Sequence, residues 1–166
     1  MAPLIRIASI ESVPIIRGIA LATWPVAYGD ILSASQLTYM LDLMYSEAAL
    51  SVQFGQGHVF LLGFEEDKAI GFASYETHHQ GGPASRIHKL YVLPWHQRTG
   101  IGAALLNAIT GSARTAGDRA LCLNVNRHNR AKGFYLKKGF RIVRDEVIDI
   151  GHGYVMDDHV MELAIL

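Results

Sequence analysis

The segment Leu90-Tyr91-Val92-Leu93-Pro94-Trp95-His96-Gln97-Arg98-Thr99-Gly100-Ile101-Gly102-Ala103-Ala104-Leu105-Leu106 carries the residue types and spacing most suggestive of chemistry. A strand ends, a short polar loop with two glycines follows, and an amphipathic helix begins. The first turn of such a helix offers backbone N–H groups without intrahelical partners and about half a positive charge from the macrodipole. Glycine lets an anion approach that backbone closely, so the segment is physically a phosphate cradle. It is not a P-loop, because no Lys-Ser/Thr follows the second glycine. Nor does it complete the dinucleotide fingerprint, since the third glycine position is Leu105. Taken alone, two glycines at a helix start suit a tightly packed strand–helix turn equally well.

Gln97-Arg98-Thr99-Gly100-Ile101-Gly102 resembles the Gln/Arg-x-x-Gly-x-Gly/Ala signature of the GNAT N-acetyltransferases. A second block, Val125-Asn126-Arg127-His128-Asn129-Arg130-Ala131-Lys132-Gly133-Phe134-Tyr135-Leu136-Lys137-Lys138-Gly139-Phe140, is similar to that family's Asn…Ala…Phe-Tyr-x-x-x-Gly-Phe motif. The family often sets the Asn three residues before the Ala. Here Asn129 stands two before Ala131, so Asn126 and Asn129 both remain candidates for the cofactor contact. The resemblance implies acetyl-CoA as co-substrate, its pyrophosphate held by Gln97, Arg98, Thr99, Gly100, Ile101, Gly102 and Ala103. It also implies a backbone N–H donor to the thioester carbonyl near Leu90, Tyr91 and Val92. Tyr135 takes the place of the family's general acid at the sulfur. Trp24, Tyr28 and Tyr39 fall in the helical segment that tends to line the acceptor pocket, although aromatics at helical spacing are usually core.

Direct acetyl transfer needs a neutral amine, a polarised carbonyl and a stabilised thiolate. A lysine-type amine near pKa 10.4 costs about 4.6 kcal/mol to deprotonate at pH 7, so a group that removes its proton is expected. Strict alternation over 69–77 puts Phe72, Ser74 and Glu76 on one face of a strand. Glu76 is the candidate base, with a solvated strand-end glutamate as the bland alternative and His88 as the other candidate. Tyr135 near pKa 10 protonating a thiolate near 8.5 is uphill by roughly 2 kcal/mol, so hydrogen bonding to sulfur is at least as plausible a role. His78, His79, His88 and His96 have no Cys or carboxylate spacing that supports a metal site, and no metal is expected.

These residues need a scaffold, and the pattern supplies one. Ser12 before Val13-Pro14 marks a helix start, with Ile16, Ile19, Ala20, Thr23, Trp24 and Ala27 on one face and Pro25 expected to end or kink it. A second helix is expected near Ser35 and a short third over 46–54. Strands are expected over 58–64, 69–77, 86–93, 119–125, 140–150 and 154–165, with helices over 100–116 and 129–138. The order αα-β-β-β-α-β-α-β-β gives one α/β domain over 1–166: a GNAT-like fold with a mixed central sheet of about six or seven strands flanked by helices.

Composition excludes other classes. Lys plus Arg is 15 and Asp plus Glu is 15, so the basic excess of a phosphate-reading nucleic-acid binder is missing and no nucleic-acid partner is expected. The single cysteine cannot form an internal disulfide, and Cys122 reads as a small core residue. The apolar run 15–22 is cut by Arg17 and Gly18, short of a membrane span or signal core, so no membrane partner and a cytoplasmic location are expected. The expected partner is a small-molecule amine, and a homodimer is left open.

The ending Gly153-Tyr154-Val155-Met156-Asp157-Asp158-His159-Val160-Met161-Glu162-Leu163 resembles bacterial members known as polyamine acetyltransferases. Glu76, Asp157, Asp158 and Glu162 would then frame a cationic acceptor. Other acceptors in view are protein N-termini or lysines, amino acids and antibiotic amines. A CoA-binding sensor without turnover is the reading of a different class.

Overall fold

The computed structural model of the chain describes residues 3–166. Its strands are β1 (Leu4–Ile7), β2 (Val59–Glu65), β3 (Lys68–Glu76), β4 (Ala84–Val92), β5 (Ala120–Asn126), β6 (Arg141–Gly151) and β7 (Tyr154–Ala164). The helices are α1 (Val13–Tyr28), α2 (Ala34–Tyr45), α3 (Glu47–Gly55), α4 (Ile101–Thr115) and α5 (Ala131–Lys137). The strands form one seven-stranded sheet in the order β1-β2-β3-β4-β5-β7-β6. Every pairing is antiparallel except β4 with β5, which is parallel and joined by the crossover helix α4.

Local chemistry explains most of these elements. Ser33 and Ser46 cap α2 and α3, their hydroxyls accepting from Gln36 N–H and Ala49 N–H at 3.1 Å each. α1 buries Ile16, Ile19, Ala20, Thr23 and Trp24, the face its spacing predicts. Pro25 does not end α1, however. Its ring lies on the exposed side, and the last turn continues to Tyr28, which is itself buried in the core. Strand β1 was absent from the sequence reading, because four residues with Arg6 inside them are too short to show alternation. The helical stretch Ile10–Tyr28 spans 19 residues and is long and apolar enough to cross a membrane by length and composition alone, since Arg17 and Gly18 do not interrupt it as expected. Both lie on its exposed face, while the opposite face packs on the sheet.

Two features of the sheet make a site. β4 and β5 are paired only from Ala84↔Ala120 to Ile87↔Leu123, so beyond Ile87 the strands part while β5 stays paired with β7. The backbone groups of β4 that would face β5 are left open from that point on. The second feature is a bulge. Ser74 pairs with Lys89 and Tyr75 with Ile87, leaving His88 as an extra residue in β4. Helix α4 is seated close above, with Ile101 fully buried over two glycines. A Cβ on Gly63 would lie 2.7 Å from Ile101 Cγ2, and one on Gly71 would lie 3.0 Å from it.

Candidate active site

The cradle begins where β4 ends. Gly100 sits at φ +87°, a left-handed conformation that glycine adopts without strain, and Arg98 is also left-handed at +76°. Thr99 Oγ1 donates to His96 O at 2.7 Å and tightens the loop. The helix ladder of α4 opens with Ala104 N–H donating to Gly100 O at 3.0 Å. The N–H groups of Ile101, Gly102 and Ala103 are therefore outside it, as an anion site needs. Gln97 reaches back to Val92 O at 3.5 Å, the edge of hydrogen-bonding distance. The residues present fit a diphosphate at this turn and an extended chain running from it into the open edge of β4.

The gap between the parted strands is a cavity lined by Leu90, Tyr91, Asn129 and Tyr135, among others. Burial drives the Tyr135 phenol well above its usual range, with Tyr28 adding a little. It is a neutral hydrogen-bond donor at any physiological pH. Tyr28 is buried beside it, its hydroxyl 2.9 Å from Tyr91 Oη and accepting from Asn129 Nδ2 at 3.1 Å. Asn129 also accepts from Ala131 N–H at 2.9 Å, which fixes the turn into α5 and delays that helix to Ala131. Of the two candidate asparagines, Asn129 lines this cavity. Asn126 lines the neighbouring one and accepts from His128 N–H at 2.9 Å.

That second cavity lies on the α1–α2 side, with Trp24, Tyr28, Arg86, Lys89 and Asp158 in its wall. Tyr28, His88, Lys89, Tyr91 and Asn124 border both cavities and so stand between them. Tyr39 does not line either. Its hydroxyl donates to Ile150 O at 2.5 Å, and its ring packs on His152 and Tyr154, tying α2 to the β6–β7 turn. Cys122 is half-buried rather than core, and burial raises its thiol, which keeps it a poor nucleophile.

Glu76 is the centre of a histidine cluster. Its Oε1 lies 2.6 Å from His88 Nε2, 3.3 Å from His58 Nε2 and 3.4 Å from His79 Nδ1. Burial alone would raise the Glu76 carboxyl, but the His88 hydrogen bond and the nearby histidines outweigh it and hold it low. Burial pushes His88 down to about 4 against that same hydrogen bond, so its ring is neutral at pH 7. With Nε2 engaged, Nδ1 is the nitrogen left for a proton arriving from the cavities.

The four histidines considered for a metal are scattered. His78 binds Asp118 at 2.6 Å and His96 binds Glu65 at 2.9 Å, while His58, distant in sequence, joins Glu76 and His88. The ligand atoms of that trio lie within 4.8 Å of one another. The His58 and His88 rings, however, are stacked at 4.1 Å and 3°. An ion in the plane of one ring would lie out of the plane of the other. The arrangement suits hydrogen bonding to one carboxylate better than shared coordination.

Lys89 is the residue the sequence reading passed over, although one lysine inside Arg86-Ile87-His88-Lys89-Leu90-Tyr91-Val92 was its visible signal. Only 8% of it is exposed, and its Nζ lies 5.2 Å from the Tyr45 ring centroid. Burial, reinforced by Arg86, brings its ammonium down to about 8 from 10.5. The unfolded chain then binds more protons between those two values, so stability rises as pH climbs from 8 to 10.5. Below pH 8 the full cost of the buried ammonium is present. Lys89→Met is therefore expected to stabilise the fold by about 2 kcal/mol at pH 7, a gain that fades above pH 8. Urea unfolding at pH 7 and pH 10 checks both the sign and the trend.

A cradle at a helix start, a parted pair of parallel strands and a buried tyrosine on the following helix together describe an acyl-CoA-dependent transferase. The Acetyltransferase (GNAT) domain family matches residues 32–156, and the chain belongs to it. It is an acetyl-CoA-dependent N-acetyltransferase. Similar proteins include uncharacterized N-acetyltransferases of Mycobacterium bovis and Mycobacterium tuberculosis, 27% identical over 149 residues, covering 88% of this chain and 93% of theirs. Among solved structures, the PaiA N-acetyltransferase of Thermoplasma acidophilum in complex with coenzyme A is 25% identical with a TM-score of 0.81, covering 99% of each chain. A GCN5-related N-acetyltransferase from Rhodopseudomonas palustris shares the fold at TM-score 0.84 and 21% identity, covering 99% of this chain and 96% of the other.

Proposed function

We propose that the protein acetylates a small primary amine by direct attack on acetyl-CoA, with the acceptor entering from the α1–α2 side. The observation that carries this reading is the wall of Tyr28, His88, Lys89 and Tyr91 shared by the two cavities, which lets an amine on one side meet a thioester on the other. Acetyl-CoA supplies the activated acetyl group. The cradle at Gly100–Gly102 fixes its phosphates, and the open backbone of Leu90–Val92 offers N–H donors to the carbonyl oxygen. Tyr135 donates a hydrogen bond to the leaving sulfur. His88 Nδ1 takes the proton released by the attacking amine, and Glu76 orients the ring through Nε2, as a carboxylate orients a histidine in other acyl transfers. Glu76, the candidate base in the sequence, thus acts here as a positioning residue.

The finer reading of the acceptor as a polyamine rests on acids at the site. Of the four in question, Asp158 lines the acceptor cavity, buried and accepting from Asn124 Nδ2 at 3.3 Å. Asp157 is engaged with Arg127 at 2.8 Å, Glu76 with the histidines, and Glu162 stands in register with Cys122 and Arg141. Asp158 is thus the acid left to hold an ammonium.

The pH profile tests the proton path. Burial holds His88 down at about 4, so it is neutral throughout the working range and adds no ionisation of its own to the profile. The acid limb of kcat/KM across about pH 6–9 then belongs to the acceptor's own ammonium and moves with the acceptor's pKa. His88→Gln should lower kcat by about 10²-fold without shifting that limb. A limb near pH 6.5 that disappears in His88→Gln contradicts this path.

A further inference from the structure

The acceptor cavity holds two cations that no acid of the chain neutralises by contact. Among the described residues, neither Arg86 nor Lys89 makes a side-chain hydrogen bond or an ion pair. The one charged neighbour that acts appreciably on Lys89 is Arg86, itself a cation. Glu76, the cross-strand partner of Arg86, turns its Oε1 to the histidines, and Asp158, which lines the same cavity from β7 and feels Arg86 through space, makes no ion pair with either cation.

The pair exists because of the bulge. In an unbroken strand, residues three apart point to opposite faces. The extra residue His88 reverses the parity, so Arg86 and Lys89 both reach the same cavity. Trp24 lines it too, and its Nε1–H is buried with only a weak pull toward the Tyr45 hydroxyl. Three hydrogen-bond donors, two of them charged and two more than nine-tenths buried, therefore face a space whose other walls include Leu32, Met40, Met44 and Met156.

A buried ammonium without a counter-ion is a standing cost that a methionine at the same place would avoid. The cofactor's phosphates do not explain it. Lys89 and Arg86 stand three and six residues before Val92, about 10 and 20 Å along an extended strand, and the cradle begins only beyond Val92.

We infer that the acceptor is an amine that also carries a carboxylate, received by Lys89 and Arg86, with an apolar body against the methionines. This rests on the reading of the protein as an acetyltransferase of small amines and names the class of acceptor. A free amino acid with an apolar side chain answers these groups together: carboxylate to Lys89, Arg86 and Trp24, side chain to the methionines, amine toward His88. A polyamine would instead bring a second ammonium into a cavity where two cations already face the single carboxylate of Asp158, and like charges at such range repel.

The test compares L-methionine and L-leucine with their amides, and with putrescine and spermidine, following thiol release and N-acetylated product. In the parent, kcat/KM for each free amino acid should exceed that for its amide by about 100-fold, since the amide cannot form charge-assisted hydrogen bonds to Lys89 and Arg86. In Lys89→Met, with Arg86 still present, that ratio should fall to about 10 or below, chiefly through KM, while the variant remains folded and more stable than the parent. Amides or spermidine used as well as the amino acids, or a ratio that survives undiminished in Lys89→Met, overturns the assignment.

A second arm needs no turnover. The CoA-saturated protein is titrated with N-acetylmethionine and with its amide, followed by tryptophan fluorescence. Preference for the acid, much reduced in Lys89→Met, upholds the anion site even if no amine is acetylated, a result that would sink the transferase reading alone. Equal affinity for acid and amide overturns the anion site.

Discussion

Gly102→Glu is expected to abolish acetyl-CoA binding in a protein that still folds. Residue 102 lies in the first turn of α4, and its N–H is one of the three left outside the helix ladder. A Cβ there would stand 3.7 Å from the Phe134 ring and 3.8 Å from Val92 Cγ2, ordinary contacts, so the fold itself does not demand glycine. A longer acidic side chain would enter the space bounded by Val92 and Phe134, between the cradle and the open edge of β4. It would oppose a diphosphate by bulk and by like charge. In the parent, acetyl-CoA at 100 times its Kd should add about 2.7 kcal/mol. For a domain of this size that is a rise in Tm of roughly 5–10 °C. Gly102→Glu should show none of it, and Gly102→Ala, with only a methyl to place, should keep the fold and part of the rise. A full rise in folded Gly102→Glu removes the cradle from this turn.

Tyr135→Phe is expected to lower kcat by about 10²–10³ with little change in KM for acetyl-CoA, the range seen when one donor to developing charge is deleted. Phenylalanine keeps the ring's edge contacts with Phe134 and Phe140, whose centroids lie 5.3 Å and 5.4 Å away. The loss would therefore report on the hydroxyl alone. Burial raises that hydroxyl further above a thiolate near 8.5, so full proton transfer is less favourable here than for a free tyrosine. A hydrogen bond to sulfur, with the proton that His88 took from the amine reaching the thiolate late, is what the hydroxyl can supply. Stopped-flow turnover with chemistry shown to be rate-limiting measures it. An unchanged kcat would take Tyr135 out of the reaction.

What the sequence made legible was local. A helix start after a polar loop depends on residues three or four apart, and Gln97–Gly102 announces itself for that reason. The Asn129–Phe140 block is equally local, and its structure differs only in where α5 begins. The rest depended on register, which no short stretch encodes. Glu76 was visible as a strand-end acid. Its ring of histidines was not, because His58, His79 and His88 come from β2's approach, a loop and β4 and meet only through strand pairing. The His88 bulge is one unpaired residue in β4, and it decides that Arg86 and Lys89 share a cavity. Strict alternation would have set them apart. Pro25 misled because its missing N–H is costly inside a helix, yet here only the last turn follows it. Tyr39 has the spacing of a pocket aromatic and is instead spent on the β6–β7 turn.

Thiol release and N-acetylated product, measured together on one sample with acetyl-CoA and a panel of primary amines, test the reading of this site most directly. The site predicts that at least one small amine is consumed with thiol and N-acetyl product formed one for one, and that both signals fall together in Tyr135→Phe. Acetyl-CoA bound tightly with no thiol released by any amine would mark the protein as a CoA-binding sensor. Thiol released without N-acetyl product would mark it as a thioester hydrolase, and either result would contradict acetyl transfer at this site.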